Sequence, residues 1–188
     1  MATDVQLRKI RGDDSERLFA WRNSADVAAY MYTDHTISSE EHARWFAGIP
    51  GDPRRAYWVI EVDGEPAGLA NFYDIDKHHG RASWAYYLAG IDLRGRGIGG
   101  FVEFWMIEQA FGPMGLRKLW CEVLAFNEPV IRLHKKFGFQ EEARFRQHVM
   151  KTRHPQDVVG LGLLGSEWPY QRAAMAERLM KTGFTVPG

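Results

Sequence analysis

The stretch "DLRGRGIGGF", Asp92 to Phe101, decides how the chain is read. Gly95, Gly97, Gly99 and Gly100 fall within six positions, and Arg94 and Arg96 stand among them. Glycine costs backbone entropy and contributes no packing, so such a cluster belongs where backbone must approach something closely. The arginines suggest that the visitor is an anion. Upstream, "RASWAYYLAG" reads as a strand; downstream, "GFVEFWMIEQAFGPMG" reads as a long helix, apolar on most sides and therefore largely buried. A strand that ends in glycines and opens a helix aims free N–H groups and the positive helix end at one spot, which is a cradle for pyrophosphate.

Gly95-x-Gly97-x-x-Gly100 also has the form of a dinucleotide fingerprint, with Glu122 about twenty residues on. The surroundings argue against that reading. A dinucleotide fold needs repeated β-α-β units on both sides of the loop, whereas an antiparallel meander precedes this one. No Gly-Lys-Ser/Thr closes the run, which excludes a P-loop.

The rest of the chain supplies an α/β frame. At 188 residues, 45% of them apolar, it suits one domain with a real core. Lys+Arg and Asp+Glu both number 24, so the net charge is zero, which argues against a broad nucleic-acid surface. Cys121 is alone, leaving no internal disulfide and no cysteine zinc cluster. His78-His79 and His42 lack companions for a metal set, so no metal is expected. "MATDVQLRKI" lacks the apolar run of a signal peptide and no stretch is long enough to span a membrane, so a cytoplasmic protein without membrane contact is expected. Strands are predicted at "VQLRKI", on either side of Asp63-Gly64, at "RASWAYYLAG", at "RKLWCEVLAF", and within 139–150 and 156–164. Helices are predicted at "DDSERLFAWRNS", at "ISSEEHARWFAG" capped by Ser38 or Ser39, after the glycine loop, at "NEPVIRLHKKFGF", and at "SEWPYQRAAMAERLMKTG".

Arg94-x-x-Gly97-x-Gly99 resembles the pyrophosphate loop of the GCN5-related N-acetyltransferases (GNAT). A second element agrees: Asn127, Leu133, His134, Lys136, Gly138 and Phe139 look like that family's Asn-x5-Leu-Tyr-x-Lys-x-Gly-Phe run. The resemblance implies a GNAT fold, in which a mixed central sheet with splayed parallel strands is flanked by helices. It covers roughly residues 5–165, giving a domain at 1–165 and a C-terminal helical extension at 166–188, packed on it or trailing from it. It implies acetyl-CoA as co-substrate, with the pantetheine between the strands Trp84–Leu88 and Leu119–Leu124. Leu88, Arg94, Gly95, Arg96, Gly97, Ile98, Gly99, Gly100, Asn127 and Lys136 are the implied cofactor-binding residues.

Acetylation of an amine needs a neutral nucleophile and a proton for the departing thiolate. Glu122 is the candidate base: strand alternation groups it with Trp120 and Leu124, and apolar neighbours make a carboxylate a better base. His134 stands where the family usually has tyrosine as proton donor. Its ordinary pKa of about 6.5 leaves a protonated fraction near neutrality.

The N-terminal third looks like two related branches of the family, one acting on protein N-termini, chiefly ribosomal, and the other on the 4-amino group of a UDP-linked 4,6-dideoxy sugar in pseudaminic acid synthesis and flagellin glycosylation. Trp21-Arg22-Asn23, Met31-Tyr32 and Ile37-Ser38 with His42 and Trp45 resemble the sugar branch. Arg22, Asn23, Met31, Tyr32, Trp45 and Tyr86 are the expected acceptor-binding residues. Arg22 would meet a phosphate, and Met31 and the aromatics an apolar sugar face. The alternatives are a peptide, polyamine or antibiotic amine as acceptor, or a CoA-binding module without turnover. A homodimer is compatible with all of these.

Overall fold

A computed structural model describes residues 3–186. In chain order the elements are β1 (Val5–Lys9), α1 (Ser15–Asn23), the short α2 (Ala25–Ala28), α3 (Ser39–Ala47), β2 (Ala56–Val62), β3 (Glu65–Asp76), β4 (Arg81–Leu88), α4 (Ile98–Phe111), β5 (Lys118–Leu124), α5 (Glu128–Lys136), β6 (Gln140–Lys151), β7 (His154–Leu164) and α6 (Trp168–Lys181). Local chemistry sets many of the boundaries. Asp63 and Gly64 take left-handed φ of 54° and 84°, the turn that joins β2 to β3. Ser38 Oγ accepts from the Glu41 N–H at 3.1 Å and caps α3. Gly97, at φ 82°, is the N-cap of α4, and Pro129 sits in the first turn of α5.

The seven strands form one sheet in the order β1-β2-β3-β4-β5-β7-β6. Every neighbouring pair is antiparallel except β4 and β5. That parallel pair joins only at Arg81↔Lys118, Ala82↔Leu119 and Ser83↔Trp120. Beyond Ser83, β4 stays paired with β3 out to Leu88, and beyond Trp120, β5 stays paired with β7 out to Leu124. The sheet therefore forks, and the facing edges of Trp84–Leu88 and Cys121–Leu124 carry backbone groups that do not pair with each other.

Alternation along the strands divides the core into two layers. One face buries Trp58, Phe72, Trp84, Leu119 and Cys121 against α4 and α6. The other buries Tyr57, Val59 and Leu69 with Leu18 of α1, joined by Trp21, Trp45, Phe46 and Tyr87. Helix α6 is tied to α4 through Glu108, which accepts from Trp168 Nε1 at 2.6 Å and from Arg172 Nη2 at 2.9 Å. The segment after α6 returns to the glycine loop, where Phe184 packs on Phe101 with ring centroids 5.4 Å apart. Among the described residues, no helix is long and apolar enough to cross a membrane, and no group of three or more His, Cys, Asp or Glu side chains is placed to hold a metal ion.

Candidate active site

The glycine loop sits at the open end of the fork, between β4 and α4. The first helical bond of α4 runs from the Phe101 N–H to the Gly97 carbonyl at 3.2 Å, so the amides of Ile98, Gly99 and Gly100 come before any intrahelical acceptor. Gly95 and Gly97 take φ of 79° and 82°, which side chains resist. A Cβ at Gly97 would lie 2.9 Å from the Phe184 ring, so that face is closed by the C-terminal segment; the close approach expected for an anion at Gly97 comes from its backbone. A Cβ at Gly99 would lie 3.0 Å from the Tyr86 hydroxyl oxygen, so this glycine lets α4 settle on β4 beside the fork.

The arginines divide. The Arg94 guanidinium lies 5.9 Å from the Tyr30 ring centre. Arg96 turns away to Asp63, 3.1 Å from its carboxylate, at the β2–β3 turn. The sequence reading put Arg96 on the anion; a carboxylate distant in sequence takes its head group instead. Asn127 is the N-cap of α5 without a side-chain capping bond, Lys136 is exposed in the last turn of α5, and Leu88 ends β4 half-buried.

Glu122 projects from β5 on the α1–α3 face. It is partly exposed, and the Tyr32 hydroxyl donates to its Oε2 at 2.9 Å. The apolar setting expected from Trp120 and Leu124 is thus opened by a phenol from the segment between α2 and α3. Burial, together with the Glu122 carboxylate, raises the Tyr32 phenol well above its ordinary range, so it remains a donor.

His134 lies across the sheet, on the α4 side, 4% exposed. Its ring packs on Trp84 at 5.1 Å and Phe139 at 5.4 Å. Its Nδ1 is 2.9 Å from Oε1 of Glu103, which is fully buried on α4. Burial alone pulls the imidazole down, but Glu103, helped by the Cys121 sulfur, outweighs it and pushes His134 up to about 10. Burial also raises Glu103, against the pull of His134. The ordinary titration expected near neutrality is replaced by that of a buried histidine–carboxylate pair, with His134 pushed up. Trp84 and Cys121 are the first residues past the last β4–β5 pair, so His134 and Glu122 flank the apex of the fork from opposite faces.

Glu103 was missed because α4 is otherwise so apolar. The available signal was a carboxylate in the first half of a buried helix, among Phe101, Val102 and Phe104, matched by one histidine on the buried side of α5.

The expected acceptor residues separate in the same way. Arg22 lies over the Trp45 ring at 4.6 Å and forms no ion pair among the described residues. Trp45 itself packs at the α3–sheet interface, its Nε1 3.4 Å from the Tyr57 hydroxyl. Asn23 is engaged within the chain: its amide accepts from the Ile37 N–H at 2.8 Å and donates to the Ile37 carbonyl at 3.1 Å, closing the base of the 24–37 segment. Met31 is half-buried on that segment near Tyr32. Tyr86 lies on the α4 face, stacked on Trp84. The residue that turns toward α1 is Tyr87, packed edge-on against Trp21, with its hydroxyl buried and without a hydrogen-bond partner among the described residues. Alternation through Trp84 and Tyr86 fixes this parity.

The acetyltransferase (GNAT) domain family matches the chain over residues 4–140. The spermidine N(1)-acetyltransferase of Escherichia coli K12 is 22% identical over 180 residues, covering 96% of each chain. Acetyltransferase PseH of Campylobacter jejuni is 25% identical over 150 residues, covering 78% of this chain and 91% of its own. Among solved structures, spermidine N-acetyltransferase from Vibrio cholerae in complex with CoA and spermine superposes with a TM-score of 0.82 at 19% identity, covering 88% of this chain and 98% of that one.

Proposed function

The chain belongs to the GNAT acetyltransferase family, and from that premise we propose that this acetyl-CoA-dependent N-acetyltransferase acts on a small amine carried by an anion, a UDP-linked 4-amino-4,6-dideoxy sugar. The observation that carries the reading is Arg22, stacked on Trp45, in no ion pair among the described residues although its charge reaches Glu41, and close enough to Tyr87 to influence its hydroxyl. A cation so presented suits a phosphate. Tyr32, Met31 and Trp45 offer the apolar and aromatic surface that a deoxy sugar requires. The resemblance of the N-terminal third to the amino-sugar branch points the same way.

In this reading the open edge of β4 and the amides that begin α4 hold acetyl-CoA, which supplies the acetyl thioester. Glu122 takes the proton of the attacking amine, with Tyr32 fixing its carboxylate. His134, kept charged by Glu103 under the apex of the fork, supplies the proton to the departing thiolate. Residues 1–165 carry this chemistry, and α6 with the segment after it braces the glycine loop.

A polyamine acceptor is the second reading, favoured by the relatives named for spermidine, which match along nearly the whole chain. Charge weighs against it. An extended polycation requires several free carboxylates, and on the segment that carries Tyr32 and the helix after it Asp34 is held by Lys151 and Thr152 while Glu41 is held by His35.

Thiol release from acetyl-CoA separates the two. UDP-4-amino-4,6-dideoxy sugars are expected to be turned over, with the free amino sugar poor because the nucleotide's binding energy orients the amine. Arg22→Ala is expected to lower kcat/KM for the nucleotide sugar about 10-fold or more, the worth of a charge-assisted contact. Efficient acetylation of spermidine or of an N-terminal peptide, with no thiol released by any UDP-amino sugar, overturns the sugar reading and leaves the acetyltransferase standing.

A further inference from the structure

We infer that Lys151, at the far end of the chain from the 24–37 segment, is a positioning residue that sets Tyr32 on Glu122. Lys151 ends β6 and is 8% exposed. Its ammonium donates to the backbone carbonyls of Ala28 at 2.8 Å, Met31 at 2.7 Å and Thr33 at 2.9 Å. All three hydrogens are thereby spent on one short piece of chain, the end of α2 and the irregular residues that follow it. An ammonium suits this task; the planar fork of arginine does not converge on three carbonyls in the same way. Tyr32 stands between two of the residues so held, and its hydroxyl is the one that donates to Glu122.

The hairpin tip that brings Lys151 here is itself unusual. Thr152 and Arg153 take left-handed φ of 47° and 66° in a two-residue turn that ordinarily selects Asn and Gly. A β-branched threonine resists that conformation, and such conformations persist only where the surroundings fix them. The fixing contact is visible: the Thr152 N–H donates to Asp34 Oδ2 at 2.8 Å, and Asp34 Oδ1 lies 3.7 Å from the Lys151 ammonium. The tip is thus clamped onto the segment that carries Tyr32. At its other end the same segment is closed by the Asn23–Ile37 pair. With base and crown both pinned, the reach of Tyr32 to Glu122 is set by Lys151.

The inference rests on Glu122 acting as base, and the test separates the two. Lys151→Met keeps the stem and removes the ammonium. It is expected to lower kcat/KM for the acceptor about 10-fold or more, because small displacements at a reacting group are costly, with acetyl-CoA affinity held within about 2-fold. In a Tyr32→Phe background the same replacement is expected to cost less than about 2-fold, since the contact it serves is already gone. Asp34→Ala loosens the clamp without leaving buried carbonyls unpaired. It is expected to show a smaller loss with the same dependence on Tyr32, and it serves if Lys151→Met fails to fold. Equal losses with and without Tyr32, or no loss in the folded variants, overturn the positioning role even where Glu122→Gln is slow. Full turnover by Glu122→Gln overturns both readings.

Discussion

Glu122→Gln is expected to slow acetyl transfer by about 10²-fold or more at neutral pH, the usual worth of a positioned general base. The amide keeps the size of the side chain and still accepts from the Tyr32 hydroxyl, so the pocket should retain its shape. Acetyl-CoA affinity, measured by calorimetry, is expected to stay within about 2-fold, because the fork and the glycine loop are untouched. The deficit should shrink as pH rises, since more of the acceptor amine is then already neutral and needs no base. A deficit that is constant with pH, or one that appears wholly in acetyl-CoA binding, would assign Glu122 to structure.

Glu103→Gln should change how stability depends on pH. In the native chain His134 is held up to about 10, against about 6.5 when unfolded, so the folded state binds the extra proton between those values. This contribution is fully present below about pH 6.5 and is lost as pH rises through about 10, at up to about 1.4 kcal/mol per pH unit. Without the carboxylate, burial, the largest influence on His134, is opposed only by the Cys121 sulfur, and the imidazole falls. The variant should therefore lose the alkaline slope and instead lose stability as pH falls below about 6.5, where the unfolded histidine takes a proton that the folded one refuses. Near pH 6 the native chain is expected to exceed the variant by about 3–5 kcal/mol, the cost of breaking a buried pair from one side. Urea midpoints measured from pH 5 to 9.5 check this, and parallel profiles would contradict it. Single-turnover transfer by His134→Phe adds the catalytic half: an undiminished rate constant would leave the pair as packing alone.

Much of the frame could be read from short-range signals. The glycine loop, the Asp63-Gly64 turn, the Ser38 cap and the alternating strands each announce their element within a few residues, and their order is the order observed. The C-terminal helix was also readable, although its bond to α4 through Glu108 was not. The site was legible only where a local rule reached it. Glu122 could be placed on its strand, but Tyr32, ninety residues away, could not be set upon it. Arg96 read as an anion ligand because Asp63 is remote in sequence and near in space. Asn23 read as a substrate contact because nothing local reveals that Ile37 returns to it. Tyr86 is a different case, since β4 alternation already groups it with Trp84 on the α4 face, away from Tyr87 and Trp21. Lys151 carried no signal, because one lysine at a hairpin end looks solvated until the segment it holds is folded beside it.

The fork between β4 and β5 is where the account puts acetyl-CoA, and amide hydrogen exchange with and without acetyl-CoA tests that most directly. Protection is expected along the open edge of Trp84–Leu88 and at the amides of residues 95–100, with the outer strands β1 and β6 unchanged. A separate cavity of about 570 Å³, lined by Pro53, Arg54, Asp74, Asp76, Arg81 and Trp120, lies at the closed end of the fork. Protection confined to that cavity, with none at residues 84–88 or 95–100, would contradict the account.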